Sequence, residues 1–473
     1  MTRPRPILAT YLLLTAAPAL NAAESPLTLT PYEFKAGAQS LAAELGTLRV
    51  PQRHEQPRGP HFTLRFVRLP RIADTNTGPA AAPVVYLAGG PGGSGIDAGR
   101  GPRLPLFQRV RQVADVILLD QRGTGLSDPP PPCPETFAQA PDQPGEVDAL
   151  RQGLNAMAKK CARFWKAKGV DLAAYSTVQS AHDLHALKAA LGVTQLNLWG
   201  MSYGTHLAMA TLRLHEADVA RVVLMGSEGL HQTYKPPLQA DRLLAELGKR
   251  HGDPALPGRV RTVLAQLAKK PIEITYPAGS GLPPKVVLSA FDLQLTTALA
   301  LATTQTSRLL PGGYAAMEQG QFAEIAPFVL QTRQRFGRLA AMPLAMDLAS
   351  GASPSRLQQI TREERESVFG AALNFPFPQV GAGLDVPDLG EAFRAPLKTA
   401  VPTLFISGTL DGRTPPENAE EIRRGFSRSA HLILDGAGHD NELFLAAPDL
   451  ADRIAAFYTG AVPKDQTIAT PIE

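Results

Sequence analysis

Three side chains in this 473-residue chain have the types and the surroundings that make a hydroxyl nucleophilic. Ser202 stands in Gly200-Met201-Ser202-Tyr203-Gly204. The short apolar run Leu196 to Trp199 precedes it, and Thr205 to His215, rich in Leu, Ala and Met, follows with a helical pattern. A Gly-x-Ser-x-Gly turn between strand and helix lifts the hydroxyl clear of a sheet, and its glycines let the two elements pass closely. A serine hydroxyl attacks poorly until a base takes its proton and an acid orients that base. His439, in Gly436-Ala437-Gly438-His439-Asp440, lies just beyond the apolar run ending at Leu434. Asp411, in Gly408-Thr409-Leu410-Asp411-Gly412-Arg413, lies beyond the run ending at Ser407. Loops past the carboxyl ends of strands are where a parallel sheet meets its ligands, so both residues are placed for chemistry. Asp435 and Asp440 rival Asp411, but they abut the histidine loop rather than a separate strand end.

Attack on a carbonyl creates an oxyanion, which needs backbone N–H donors aimed at it. Tyr203, the residue after the nucleophile, is one expected donor. The other is expected from Gly89-Gly90-Pro91-Gly92-Gly93-Ser94-Gly95, where missing side chains let the backbone approach a substrate; Gly90 is the first choice and Gly89 the reserve. A glycine-rich loop also suits a phosphate, but Pro91 removes a donor and no Gly-Lys-Ser/Thr follows. The remaining histidines have weaker settings. His182, His185, His206 and His215 lie within helical stretches, His431 lies in a strand, and His54, His61, His231 and His251 have no strand-end context. All read as ordinary surface or core residues.

The elements that must position these groups follow from hydrophobic periodicity. Val84 to Ala88, Val116 to Leu119, Leu196 to Trp199, Arg221 to Met225, Thr403 to Ser407 and His431 to Leu434 are short apolar runs, separated by helical patterns at 146–168, 178–191, 415–425 and 447–458. Continuous apolar strands alternating with helices predict an α/β fold with a mostly parallel sheet covered on both faces. Phe62 to Leu69 alternates apolar and polar, as a half-buried antiparallel strand does. Residues 24–46 carry no clear signal. The alternation stops between 231 and 398, where long helical patterns such as Phe291 to Leu310 and Phe322 to Phe336 take over. The layout expected is a first part of an α/β core over 24–230, an inserted helical cap over 231–398, and the C-terminal part of the core over 399–473.

Hydrophobic residues make up 44% and charged residues 19% of the chain, a globular composition. The net charge of +4 is spread without a basic tract interleaved with aromatics, which argues against a nucleic-acid partner. Residues 1–23 differ from the rest: Arg3 and Arg5, the apolar run Ile7 to Leu20, then small residues through Ala23. This predicts a cleaved export signal, too short to span a bilayer, and no other segment is long and apolar enough to do so. Export to the periplasm or the extracellular space makes a bridge between the chain's two cysteines, Cys133 and Cys161, the expectation; it would constrain a proline-rich segment with little core of its own.

Taken together, Gly89-Gly90-Pro91-Gly92, Asp120-Gln121-Arg122-Gly123-Thr124-Gly125, Gly200-Met201-Ser202-Tyr203-Gly204, Asp411-Gly412-Arg413-Thr414-Pro415 and Gly438-His439 resemble the α/β-hydrolase family of proline iminopeptidases and secreted tripeptidyl aminopeptidases. The chain order Ser202, Asp411, His439 is that family's order. Proline iminopeptidases usually carry a histidine before Gly-Gly-Pro-Gly, and here Ala88 takes that place, which leans toward the tripeptidyl branch. The resemblance implies a serine exopeptidase acting at a free peptide N-terminus. A helical cap would restrict access, and neither a metal nor an organic cofactor would be required. Recognition of the substrate ammonium by carboxylates is part of that implication, with Glu228 the first candidate and Glu442 the second. A carboxylesterase or lipase on the same triad, and a non-catalytic binding protein on the same fold, are the alternatives.

Overall fold

A computed structural model describes residues 26–72, 79–381 and 384–470. The expected signal segment over 1–23 lies outside the described residues. The strands are β1 (Leu27–Ala36), β2 (Gln39–Pro51), β3 (His61–Leu69), β4 (Val84–Leu87), β5 (Val116–Leu119), β6 (Leu196–Met201), β7 (Val219–Met225), β8 (Ile272–Thr275), β9 (Lys285–Leu288), β10 (Thr403–Gly408), β11 (Ser429–Asp435) and β12 (Gln466–Ala469). Ten of them form one sheet in the order β1-β2-β3-β5-β4-β6-β7-β10-β11-β12. Neighbours from β5 to β12 run parallel, while β1, β2 and β3 extend the sheet antiparallel.

The parallel strands are apolar because both faces are covered: every residue of β4, β5, β6 and β10 is buried. On one face Leu198, Val222 and Phe405 pack with Leu207, Leu154 and Leu184 from the helices Tyr203–His215, Val147–Ala167 and Thr177–Ala190. On the other, Tyr86, Trp199 and Ile406 pack with Phe107, Phe444 and Ile454. Cys133 and Cys161 are bonded, with 5.4 Å between their Cα atoms, which ties the proline-rich loop to the helix Val147–Ala167. Trp165 of that helix, fully buried, donates its indole N–H to the Pro131 carbonyl at 3.0 Å.

Three local expectations need correction, and one stretch without a clear signal acquires structure. The stretch that carried no clear signal holds strand from Leu27 on: β1 and β2 make a hairpin paired from Leu27↔Leu48 to Ala36↔Gln39 and turned at Gly37, whose φ is 57°. Its pattern is masked because Pro31 interrupts the alternation, which an edge strand tolerates. Phe291 to Leu310 is not one helix. The helix Ala290–Ala300 stops, Thr303 caps a short turn Thr304–Ser307, and a new helix, Leu310–Glu318, starts with proline in its first turn. Phe322 to Phe336 shortens to the helix Ala326–Arg335, which Pro327 opens for the same reason. The stretch from 231 to 398 also holds β8 and β9, paired antiparallel as a separate small sheet. It has a core of its own, in which Leu243, Leu247, Val260, Val263, Leu293 and Tyr314 meet.

Candidate active site

Ser202 sits where β6 hands over to the helix Tyr203–His215, at φ 53° and ψ −122°. A non-glycine residue in that region is strained and persists only where its surroundings over-determine it. They do so here. Ser202 N–H donates to the Met225 carbonyl of β7 at 2.9 Å, and its own carbonyl accepts from Thr205 N–H at 2.8 Å and Thr205 Oγ1 at 2.6 Å. Side chains at the flanking glycines would collide with backbone: a Cβ on Gly200 would stand 2.5 Å from the Gly204 carbonyl oxygen, and one on Gly204 2.0 Å from that of Leu87.

Asp411 and His439 come together from the ends of β10 and β11. His439 Nδ1–H donates to Asp411 Oδ2 at 2.8 Å. Asp411 is fully buried, and its other oxygen, Oδ1, accepts from the N–H groups of Arg413 and Thr414 at 2.7 and 2.8 Å. The Thr414 hydroxyl donates to Oδ2 at 2.7 Å and lies 3.2 Å from His439 Nδ1. Burial alone would raise the Asp411 pKa; the neighbouring imidazole and these hydrogen bonds outweigh it and hold the carboxyl below its ordinary value. The bond at Nδ1 leaves His439 Nε2 as the basic nitrogen. The His439 backbone is fixed as well, its N–H donating to the Ala302 carbonyl at 2.9 Å.

Ser202 and His439 line one cavity of about 790 Å³. No direct hydrogen bond joins the Ser202 hydroxyl to the imidazole among the described residues, a looseness common before substrate binds. Gly89 is so close that a Cβ on it would stand 2.9 Å from Ser202 Cβ. The Gly90 N–H is taken by no backbone carbonyl among the described residues, and Tyr203 opens its helix, so its N–H has no partner one turn back. The glycine loop is held from below. Gln121 Nε2 donates to the Ala88 carbonyl at 2.9 Å, and Asp120 accepts from Ser94 Oγ at 2.6 Å and the N–H groups of Ile96 and Leu126 at 3.1 and 2.8 Å. Arg122 of the same motif points elsewhere. Fully buried, it makes a two-pronged pair with Asp183 at 2.8 and 2.6 Å.

The carboxylates proposed for amine recognition part company. Glu228 lines the cavity, largely buried, with its Oε2 2.5 Å from Lys235 Nζ. Glu442 braces the histidine loop from behind: its oxygens accept from Gly438 N–H at 2.6 Å and Thr304 N–H at 2.9 Å, which uses the charge that an ammonium would need. The carboxylate that faces the cavity beside Glu228 is Asp347, on the helix Ala341–Ser350. It has no motif around it. Its one sequence signal is a lone acid in Ala341-Met342-Pro343-Leu344-Ala345-Met346-Asp347-Leu348, an otherwise apolar run. Burial, then the charge of Glu228, push its pKa up to about 7. Thr414, which orders both Asp411 and His439, also escaped the sequence reading, since a threonine three residues from an aspartate is unremarkable.

Known proteins share parts of this sequence. The serine protease Hip1 of Mycobacterium tuberculosis is 32% identical over 189 residues, and the tripeptidyl aminopeptidase of Streptomyces lividans 30% identical over 190. Each match takes in 38% of this chain but only 35% and 34% of those proteins, about a third of their length. A putative hydrolase of Escherichia coli, YuaR, is 24% identical over 447 residues, covering 87% of this chain and 85% of its own. A family model described as the alpha/beta hydrolase fold matches residues 82–443, the span that runs from the strand before the glycine loop to the turn after His439. A parallel sheet carrying a serine elbow, with an Asp–His pair at the ends of its later strands, is what that match encloses, and the chain belongs to the α/β-hydrolase fold family.

Proposed function

We propose that this protein is an exported serine exopeptidase, an aminopeptidase of prolyl or tripeptidyl type that cuts peptide bonds near a free N-terminus. The observation that carries the reading is one cavity lined by Ser202, His439 and the carboxylates of Glu228 and Asp347. A peptide whose ammonium group meets the carboxylates lies with a carbonyl near the serine.

In this mechanism substrate binding closes Ser202 Oγ onto His439 Nε2, and the imidazole takes the hydroxyl proton as Oγ attacks the carbonyl carbon. Asp411 holds the tautomer and stabilises the imidazolium. The N–H groups of Tyr203 and Gly90 hold the oxyanion. His439 then passes the proton to the leaving amine, and the acyl-enzyme is hydrolysed by water activated in the same way. Segment 231–398 acts as the cap over this chemistry, supplying Asp347 and the apolar groups Leu295 and Phe375 to the cavity. Glu228 and Asp347 are the amine-binding pair, replacing Glu442 in that role. The leader at 1–23 directs export, in keeping with a disulfide that persists in oxidising compartments.

The test compares proline and tripeptide arylamides, with free and with acetylated N-termini, against p-nitrophenyl esters. Preference for the free N-terminus is expected, and Ser202→Ala should abolish turnover with the fold intact by circular dichroism. Ester cleavage without peptide cleavage would move the protein to the carboxylesterases. An active Ser202→Ala protein would remove the nucleophile assignment.

A further inference from the structure

At the far end of the nucleophile's helix stands a second cluster of chemically capable side chains, assembled from two helices. His182 and His185 come from the helix Thr177–Ala190, His215 ends the helix Tyr203–His215, and Asp218 lies in the turn after it. One ligand atom from each of His185, His215 and Asp218 lies within 4.8 Å of the others. The His185 and His215 rings are stacked with centroids 4.5 Å apart. We propose that His185, His215 and Asp218 form a binding site for a divalent transition metal of the zinc class, with water completing the coordination.

The donor set fits. Two imidazoles and one carboxylate, leaving a fourth position for water, are ordinary zinc ligands. Two ligands on one tetrahedral zinc stand roughly 3.3 Å apart, so the third ligand has to move by about an ångström or more, within reach of side-chain rotation. His185 Nδ1 and Asp218 Oδ2 already share a proton at 2.5 Å, and the metal would take that proton's place. The ligands also have outer partners that orient them, as metal ligands usually do. His182 Nδ1 lies 2.8 Å from His215 Nε2; with that nitrogen engaged, Nδ1 is the one left for the metal. Lys188 Nζ holds Asp218 Oδ1 at 2.7 Å, which leaves Oδ2 for the ion. The site would staple two adjacent helices. The 13-residue helix Tyr203–His215 separates it from Ser202 by about 18–20 Å, so it would act on stability and not on turnover.

Untagged protein, stripped with EDTA and titrated with Zn²⁺ by calorimetry, should bind one ion per chain and unfold at a higher temperature with zinc than without. Ser202→Ala should bind equally well, whether or not the peptidase reading holds. His185→Gln, at a half-exposed position that tolerates change, should weaken binding at least about tenfold and abolish the zinc-dependent rise in unfolding temperature. His215→Gln should do the same. Wild-type protein that takes up no zinc, or a His185→Gln protein that binds it as the wild type does, overturns the site.

Discussion

The two walls of the cavity are built differently. On the sheet side the groups placed for chemistry are held by buried partners: Ser202 by Met225 and Thr205, Asp411 by Arg413 and Thr414, the glycine loop by Asp120 and Gln121. On the helical side the Asp347 carboxylate makes no hydrogen bond or ion pair among the described residues, while Glu228, which shares the cavity lining, is paired with Lys235. Fixed donors and acceptors suit a transition state, because they need no rearrangement as charge develops. Uncompensated charge suits recognition, because a ligand of opposite sign completes it. Under the proposed function turnover would belong to one side and binding to the other, and each is open to a separate attack.

The largest effect is expected at Asp411. Asp411→Asn keeps the shape but favours the wrong imidazole tautomer, and kcat for a peptide arylamide should fall by about 10³–10⁴-fold. KM and the unfolding temperature should change little. A rise in KM with kcat preserved would place Asp411 in binding and erase the division between the walls.

Next comes a buried ion pair away from the cavity. Arg122 and Asp183 are both buried, and Arg122→Ala leaves the carboxylate with only His54 Nε2, at 2.8 Å, beside it. Breaking such a pair costs about 3–5 kcal/mol, readable as a lower denaturation midpoint in urea. A neutral result would mean that His54 alone suffices for Asp183. The disulfide supplies a contrasting case remote from the reaction. Its cysteines are 28 residues apart, and replacing both with Ala should cost roughly 3–4 kcal/mol by loop entropy, with kcat unchanged in the folded protein. A fall in kcat would tie the proline-rich loop to the cavity.

What the sequence revealed divides along the same line. Ser202, Asp411 and His439 announce themselves because each sits in a contiguous motif at a strand end, where backbone geometry demands particular neighbours. The parallel strands are equally plain, since burial on both faces leaves unbroken apolar runs such as Val84 to Leu87. The helical wall has no such grammar. Asp347 acquires its meaning from Glu228, 119 positions earlier in the chain, and no local pattern encodes that meeting. Glu442 shows the reverse error: proximity to His439 in sequence suggested the cavity, while its carboxylate turns to backbone N–H groups behind the loop. The His182, His185 and His215 cluster was hidden for the same reason, its members lying on two helices whose packing only the fold supplies.

The smallest expected effect probes the helical wall directly. Asp347 has its pKa pushed up to about 7 from 3.8 by burial and by Glu228, with Lys235 and Arg413 pulling the other way and Tyr234 also nearby. Below that value the carboxyl is neutral and contributes little to an ammonium. Between pH 5.5 and 7.5, KM for a free N-terminus should therefore fall as Asp347 ionises, by about tenfold or less. Asp347→Asn should flatten that slope. A pH effect on the chemical step acts on acetylated and ester substrates alike, so only the slope special to the free N-terminus reports Asp347. Stability gives an independent reading. A carboxyl with a raised pKa in the folded chain binds a proton that the unfolded chain has released, so its contribution is full below about pH 4 and is lost as pH rises through 7. Asp347→Asn should thus gain stability relative to the wild type at pH 8 compared with pH 5. A pH-independent difference would mean that Asp347 titrates in its ordinary range, and the recognition wall would then rest on Glu228 alone.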